Sequence, residues 1–293
     1  MRDIFSDYHP FINLVYFLAV IAFSMFFMHP VFLALSCICS FIYSVKLKGK
    51  KAVKFNIVGM VPMAVIVALM NAVFNNNGAT VLFILPWGKA FTLQSLIYGL
   101  FTGLMLVSVI IWFSCYNIVM TSDKFIFLFG KLIPSVSLIL SMVLRFVPNF
   151  VNQVKAISTA QRCIGRDVSH GKLMEKAGHG VKLISVLTTW SLENAIISAD
   201  SMRSRGYDLK GRTSFSIYKW SFRDKVVLVL LLACIGLVFF GVSQGGNSFS
   251  GYPRIVVGEL TPARLTGYLA YGFLCLVPVL VAVYDEIHWR IHL

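Results

Sequence analysis

Six long apolar stretches without a single Asp, Glu, Lys or Arg constrain the fold of this chain more than any other feature. They cover residues 11–28, 31–45, 57–74, 96–120, 226–242 and 265–283. A helix needs roughly 20 apolar residues to cross a bilayer, and a charge at its centre costs about 2.5–3.5 kcal/mol on insertion scales. The pattern therefore predicts an all-α polytopic membrane protein with about six transmembrane helices, of which the second and fifth are short.

The composition of the 293 residues excludes an ordinary soluble domain. Hydrophobic residues make up 58% of the chain and charged residues only 13%, whereas globular domains carry about 25% charged residues. The sequence contains no G-x-x-x-x-G-K-[ST] phosphate loop, and no nucleophile–base or paired-carboxylate pattern stands out. We therefore expect neither catalysis nor a cofactor or metal site in this chain.

Basic residues are distributed very unevenly along the chain. With six spans and a cytoplasmic N-terminus, all of the 26 Lys and Arg except Lys89, Arg254 and Arg264 fall in segments on the cytoplasmic side. This is the positive-inside pattern, and it predicts a multi-pass protein of the cell membrane with both termini cytoplasmic. Topology and attraction to anionic headgroups of the lipid bilayer explain the net charge of +14, so we expect no nucleic-acid partner.

The predicted spans divide the chain into three parts. Residues 1–120 are expected to form an N-terminal membrane block with four spans, residues 121–224 a cytoplasmic module, and residues 225–293 a C-terminal membrane block with two spans. A short hairpin over residues 80–92 is expected at the outer interface. Gly99-x-x-x-Gly103 in the fourth span predicts close packing against another helix, because small residues let two backbones approach.

Two amphipathic helices are predicted in the central module, over residues 135–160 and 172–204. Apolar residues recur there every three or four positions, which is the spacing of one helix face. The two stripes are Ile139, Val143, Phe146, Phe150, Val154 and Ile157, then Ile184, Leu187, Trp190, Ile197 and Met202. Arg145 and Lys155 argue against a full crossing by the first helix, and Pro148 predicts a kink in it. We therefore expect both helices to lie against the inner face of the membrane.

Each of these two helices ends in a basic cluster followed by a glycine. The clusters are Arg162, Gly165 and Arg166 in the first helix, and Arg203, Ser204, Arg205 and Gly206 in the second. Glycine just past the last turn is the commonest helix cap, and arginine in the last turn opposes the helix dipole by about 0.3–1 kcal/mol. An exposed arginine is also a suitable anchor for a partner's carboxylate pocket. The recurrence of the arrangement favours docking over capping alone.

These motifs make the chain resemble the transmembrane (T) component of energy-coupling factor transporters, the EcfT/CbiQ family. Residues 145–148 (Arg-Phe-Val-Pro) and 160–165 (Ala-Gln-Arg-Cys-Ile-Gly) are similar to the family's first coupling helix and its Ala-Arg-Gly signature. Residues 202–207 (Met-Arg-Ser-Arg-Gly-Tyr) are similar to the second, and His9-Pro10 resembles the usual entry to the first span. The resemblance touches most of the chain, and its specific motifs lie in the central module.

The resemblance implies a mechanism that this chain does not perform alone. In that family, two signature arginines insert into grooves on a pair of cytoplasmic ATPase subunits. The scaffold passes the motion of these subunits to a separate membrane subunit that binds the substrate, a vitamin or a metal ion. Carried over by position, Arg205 is the second signature arginine, and Ser204 stands where the family has alanine.

The first signature departs from the family pattern. Cys163 and Ile164 occupy the places of its alanine and arginine. The resemblance therefore leaves open whether Arg162 or Arg166, each two residues from Ile164, supplies the charge, or whether this contact is mainly apolar.

Two other functions compete with the scaffold. An autonomous secondary transporter needs polar or charged groups at mid-membrane or an inverted repeat of broken helices, and the predicted spans offer only scattered asparagines. A membrane-bound enzyme would have to use Glu193 or the C-terminal His288 and His292, which are more simply explained as an interfacial tail. Glu193 and Asn194 interrupt an apolar run, and we expect them to pair with a basic group of a neighbouring helix.

Overall fold

The protein is represented by a computed structural model, which describes residues 4–75, 78, 80–84, 90–130, 133–165, 173–207, 218–246, 249–250, 256–257 and 261–291. The chain forms two compact units. We call the first the membrane unit, made of Met1–Phe125 and Tyr218–Leu293, and the second the central unit, made of Ile126–Ile217.

Helices dominate both units, so the predicted all-α fold is confirmed. The chain begins with a 3₁₀ helix, Ile4–Asp7, and two π-helical turns, Phe55–Met60 and Val242–Gly246, continue α3 and α9. The α-helices are α1 (Pro10–Phe26), α2 (Pro30–Lys48), α3 (Lys50–Lys54), α4 (Val61–Phe74), α5 (Leu93–Val119), α6 (Ser122–Gly130), α7 (Pro134–Cys163), α8 (Leu173–Ser204), α9 (Phe222–Gly241) and α10 (Pro262–Ile291).

Six helical runs in the described part of the chain are long and apolar enough to cross a membrane. They are Pro30–Lys48, Lys50–Phe74, Leu93–Val119, Val136–Cys163, Phe222–Gly245 and Arg264–Tyr284. The predicted first span is present as α1, a shorter apolar helix of 17 residues. Val136–Cys163 belongs to α7, which we had not expected to cross because of Arg145 and Lys155. By length and composition alone, α7 remains apolar enough to cross a membrane despite these two charges.

The predicted hairpin over residues 80–92 is confirmed, while its place at the outer interface stays a prediction. Strand β1 (Val81–Ile84) pairs antiparallel with β2 (Ala90–Thr92), which leads directly into α5, while the intervening turn lies outside the described residues. A second antiparallel pair of two-residue strands, β3 (Phe249–Ser250) and β4 (Val256–Val257), was not predicted. Two residues are too few to show an alternation of apolar and polar side chains in the sequence.

A chain of side-chain hydrogen bonds joins four helices inside the membrane unit. The indole Nε1 of Trp112 on α5 donates to Ser36 Oγ on α2 at 3.0 Å. The hydroxyls of Ser36 and Ser24 are 2.7 Å apart, and Ser24 on α1 is 3.0 Å from the hydroxyl of Tyr271 on α10. All four side chains are buried. The network satisfies buried polar groups that would otherwise be costly, and it fixes which helices are neighbours.

The Gly99-x-x-x-Gly103 face of α5 packs directly on α4, as predicted. A Cβ atom at Gly99 would lie 2.7 Å from the Ala68 carbonyl oxygen, and one at Gly103 would lie 2.8 Å from the Ala64 carbonyl oxygen. Both neighbours are backbone atoms, which cannot move aside like a flexible side chain. Ala64 and Ala68 are spaced four residues apart on α4, so each helix contributes a row of small residues to the contact.

Substituting Gly99 by Ala should destabilise the protein by about 1–3 kcal/mol, because the added methyl group overpacks a backbone contact. Gly236→Ala in α9 is the matched control, since no atom lies within 4 Å of a Cβ there. Alanine at this site should be neutral or stabilise by up to about 1 kcal/mol through its better helix propensity. Thermal unfolding of the purified variants in detergent measures both effects. Equal melting temperatures for the two variants would contradict this packing.

Two histidines cap the helices that follow them. His9 Nδ1 accepts a hydrogen bond from the Phe11 N–H at 3.3 Å, and His29 Nδ1 accepts one from the Val31 N–H at 3.4 Å. The buried His29 also places Nε2 3.3 Å from the Tyr268 hydroxyl. Because Nδ1 accepts, the proton of a neutral His29 ring sits on Nε2. Burial, and then the positive charge of Arg264, lower the pKa of His29.

Protonation of His29 should therefore destabilise the fold. The unfolded chain takes up this proton near pH 6.5, and the folded chain takes it up only at lower pH. The contribution of neutral His29 to the free energy of unfolding is therefore present above pH 6.5 and is lost as the pH falls below it. His29→Asn is the control, because asparagine can cap a helix but does not titrate. Melting temperatures on either side of pH 6.5 should fall more steeply on acidification for the wild type than for the variant, and parallel profiles would refute the assignment.

Candidate functional site

The C-terminal end of α8 is a closed, hydrogen-bonded cap. The Gly206 N–H donates to the Arg203 carbonyl at 3.0 Å, and the Tyr207 N–H donates to the Met202 carbonyl at 3.2 Å. Gly206 has φ of +75°, a left-handed conformation that glycine adopts without penalty. These two bonds and the glycine define a Schellman motif, in which Arg205 is the C-cap residue and Gly206 follows it. The backbone around Arg205 is therefore held at the helix tip.

The end of α7 repeats two features of this cap, the left-handed glycine and its hydrogen bond to the carbonyl three residues earlier. Gly165 has φ of +74°, and its N–H donates to the Arg162 carbonyl at 3.0 Å. Counting from the glycine, Ile164 occupies the place of Arg205, and Arg162 occupies the place of Arg203. Arg166 lies outside the described residues. Each helix end therefore brings its own predicted residues together, and the two ends differ mainly in the cap residue, Ile164 against Arg205.

The side chains at both tips face outward. Arg162, Arg203, Ser204 and Arg205 are exposed. Ile164 is 62% exposed and Tyr207 is 45% exposed, which are large values for apolar or aromatic side chains. The Ser204 hydroxyl bonds back to the Asp200 carbonyl at 2.8 Å and to the Ser201 carbonyl at 3.1 Å, so it is occupied within its own helix. Forked donors and apolar surface together suit a groove on a protein partner.

From the sequence, it was left open whether the contact at Ile164 is mainly apolar, and the exposed ring of Tyr207 was not predicted. The signal was available. A helix-cap position before glycine projects from the end of the helix, so an apolar residue there has no helix face to cover it.

The two helices of the central unit contact each other, but their apolar stripes are only partly covered. Phe150 of α7 and Trp190 of α8 meet edge to face, with ring centroids 5.4 Å apart. The predicted stripe residues that stay exposed are Ile139, Val143, Ile184 and Ile197. Exposed apolar area on this scale is covered by lipid or by a partner protein.

The other polar candidates do not form a site in the described residues. Asn194 Nδ2 donates to the Trp190 carbonyl of its own helix at 3.1 Å, and Glu193 is exposed with no ion pair to a described basic residue. The expected pairing of these two residues with a basic group of a neighbouring helix is not found among the described residues. No cluster of His, Cys, Asp or Glu with metal-ligand geometry occurs in the part of the chain that the structure describes. The side chain of His288 and all of His292 lie outside that part.

Gly206→Ala should open the cap of α8, because a left-handed backbone costs a non-glycine residue about 1–2 kcal/mol. Gly178→Ala is the matched control inside the same helix, where φ is negative and nothing lies within 4 Å of an added Cβ. Amide hydrogen exchange at Tyr207 should speed up in the first variant and stay unchanged in the second. Unchanged exchange in both would mean that the cap does not depend on this conformation.

Comparison with known proteins places the chain in a family. The family model described as "Cobalt transport protein", CbiQ, matches residues 2–217. The chain is 32% identical over 181 residues to the energy-coupling factor transporter transmembrane protein EcfT 1 of Listeria monocytogenes, covering 57% of this chain and 67% of the relative. It is 28% identical over 240 residues to the EcfT protein of Listeria innocua, covering 76% and 89%. For the EcfT protein of Staphylococcus aureus the identity is 26% over 206 residues, covering 66% and 76%. The chain therefore belongs to the CbiQ family, as the transmembrane component of an energy-coupling factor transporter.

Proposed function

We propose that this chain is the non-catalytic scaffold of an importer in the cell membrane. Two cytoplasmic ATPase subunits dock on the ends of α7 and α8, and the scaffold converts their motion into reorientation of a separate membrane subunit that binds a vitamin or a metal ion. Residues 121–224 serve as the cytoplasmic module between membrane blocks 1–120 and 225–293. The observation that carries the proposal is the exposed Arg205 at the closed end of α8.

The chemistry of Arg205 supports docking on a protein groove. A guanidinium presents five N–H donors in a planar fork that matches a carboxylate, and arginine is enriched among residues that dominate interface energies. The Schellman cap removes backbone freedom at the tip, so less entropy is lost when the side chain binds. Tyr207, two residues further, adds an exposed aromatic ring beside the charge.

The end of α7 offers a different contact. Ile164 is exposed at the position that Arg205 holds on α8, and Arg162 matches Arg203. A groove that receives this tip therefore contacts the apolar side chain of Ile164 at the cap and the charge of Arg162 two residues earlier. We infer that the two ATPase contacts are unequal, with the α8 contact the more dependent on charge. Arg166, two residues from Ile164 in the sequence, is the other candidate to supply a charge to this contact.

The orientation of the scaffold follows from its basic segments. The end of α2 and all of α3 carry five lysines between Lys46 and Lys54, of which Lys50, Lys51 and Lys54 are exposed. Lys48 donates to Ser114 on α5 and lies 5.8 Å from the centre of the Phe55 ring. A loop of this charge stays on the cytoplasmic side. The helix ends with their arginines belong on the same side, where the ATPases are.

The main alternative, an autonomous secondary transporter, finds little support in the buried polar groups. Asn13, Ser44 and Asn56 are buried without a hydrogen-bond partner among the described residues. Asn13 lies in the first turn of α1, Ser44 in the last third of α2, and Asn56 two residues after the end of α3. A substrate site at the bilayer midplane needs polar groups near the middle of the spans instead.

Charge reversal at the two tips tests the proposal. Arg205→Glu should weaken association with the ATPase subunits by about 30-fold, which corresponds to about 2 kcal/mol for an anchoring arginine. Ile164→Glu should weaken it less, because position 164 carries no charge to reverse. Lys182→Glu, an exposed lysine on α8 far from the tip, is the control and should have no effect.

The measurement is co-purification of the ATPase subunits with each tagged variant in mild detergent. Equal losses for Arg205→Glu and Ile164→Glu would refute the inequality of the two contacts. Full retention of the ATPases by Arg205→Glu would refute docking at this tip, and transport of solute by the isolated chain in vesicles would overturn the scaffold itself.

A further inference from the structure

The chain enters and leaves the central unit through two connections, and both are attached to one N-terminal segment. The chain leaves the membrane unit after Phe125, within α6, and returns at Tyr218, just before α9. The N-terminal segment comprises the 3₁₀ helix Ile4–Asp7 and the following residues to His9. It is anchored in the membrane unit by Phe5, whose fully buried ring lies 5.1 Å from that of Tyr16 on α1.

The outgoing connection is held by a buried lysine. Lys124 is only 5% exposed, and its ammonium group has three oxygen acceptors. Nζ donates to the Ser6 carbonyl at 2.5 Å, to Ser6 Oγ at 2.8 Å and to the Val119 carbonyl at 2.8 Å. An ammonium group has three N–H donors, so these acceptors satisfy it. Val119 ends α5, where a positive charge is favourable and a carbonyl otherwise lacks a helical partner.

The returning connection is held by a buried aspartate. Asp224 is 6% exposed, and its Oδ2 accepts the Ser221 N–H at 2.9 Å in a capping box that starts α9. Its Oδ1 accepts the His9 N–H at 3.4 Å. The His9 ring also stacks on Trp220, with centroids 4.2 Å apart and an angle of 21° between the planes. Residues 6–9 thus contact both connections within a few residues.

The two connections also lie within electrostatic range of each other. Burial, and then the carboxylate of Asp123 next to Lys124, raise the pKa of Tyr218. Tyr218 is the first residue of the returning connection, so the residues on either side of the two junctions lie close together.

We propose that Ser6, His9, Lys124 and Asp224 form a clamp that positions both connections of the central unit on the membrane unit. Burying a lysine and an aspartate is costly unless every charge-bearing atom is satisfied, and replacing such groups by apolar residues is often neutral or stabilising. Their use here points to a requirement for defined geometry. If the connections were slack, motion of α7 and α8 would be absorbed in them and would not reach the membrane helices.

The role of the clamp in coupling rests on the proposed function, but its mechanical role can be measured on the full chain alone. Cys163 is exposed at the end of α7, whereas Cys39, Cys115, Cys234 and Cys275 are buried. A spin label on Cys163 and a second on Lys50→Cys, at the exposed start of α3 in the membrane unit, report the distance between the two units. The partly accessible Cys37 is replaced by alanine in this background.

The experiment compares the widths of the distance distributions in lipid nanodiscs without ATPase subunits. Lys124→Gln and Asp224→Asn should each broaden the distribution roughly twofold, because each releases one connection. Ser6→Ala, which removes a single acceptor, should broaden it less. Lys225→Gln is the control, since Lys225 is an exposed basic residue next to Asp224. A merely structural role would lower the melting temperature of the variants and leave the widths equal to that of the wild type.

Unchanged widths in the clamp variants would overturn the proposal. If Lys124→Gln does not fold, the widths measured for Asp224→Asn and Ser6→Ala test the proposal, because these two substitutions change the side-chain size very little. Association with the ATPases separates this result from the proposed function. Clamp variants should keep that association and lose the ATP-dependent shift of the label distance, whereas Arg205→Glu should lose the association itself.

Discussion

The hydrogen bonds among buried side chains determine how the helices of the membrane unit are arranged. In a bilayer, apolar surfaces do not discriminate between neighbouring helices, because lipid tails are as apolar as leucine. The link from Trp112 through Ser36 and Ser24 to Tyr271 is specific, because its hydrogen bonds form only when each of these four side chains lies within about 3 Å of the next. The close backbone contact at Gly99 adds a second specific element, which accepts only small residues. The clamp at the N-terminal segment therefore forms on a framework whose neighbours are already defined.

Much of the fold could be predicted from the sequence, because hydropathy and glycine spacing are local signals. The helices, the outer hairpin and the contact at Gly99 and Gly103 follow from residues close together in the chain. The contact of His9 with Asp224 joins positions 215 residues apart, and no periodicity reveals such a pair. The status of α7 was also beyond the sequence rules, because Arg145 and Lys155 leave it near the boundary between an interfacial and a crossing helix.

The backbone of the candidate site was more predictable than its chemistry. Glycine after a basic cluster predicted a helix cap at Gly165 and Gly206, and both glycines adopt the left-handed conformation. The motif alignment had already placed Ile164 and Arg205 at equivalent positions, and the hydrogen bonds from Gly165 to Arg162 and from Gly206 to Arg203 agree with it. In the proposed docking, the binding strength of each tip depends on a groove that belongs to another chain. A sequence can therefore indicate a docking residue without indicating how strongly it binds.

Force applied to a helix tip is transmitted only if both ends of the path resist it. At the tip of α8, the Schellman cap fixes the backbone that carries Arg205. In the proposed coupling role, a partner's movement would therefore displace the helix without unwinding its last turn. At the other end, Lys124 and Asp224 fix the connections to the membrane unit through multiple hydrogen bonds. The apolar residues that stay exposed on α7 and α8, such as Ile139 and Ile184, can make only dispersion contacts, which have little directional preference. Directional hydrogen bonds at the ends and non-directional contacts between them are the combination that a coupling lever requires.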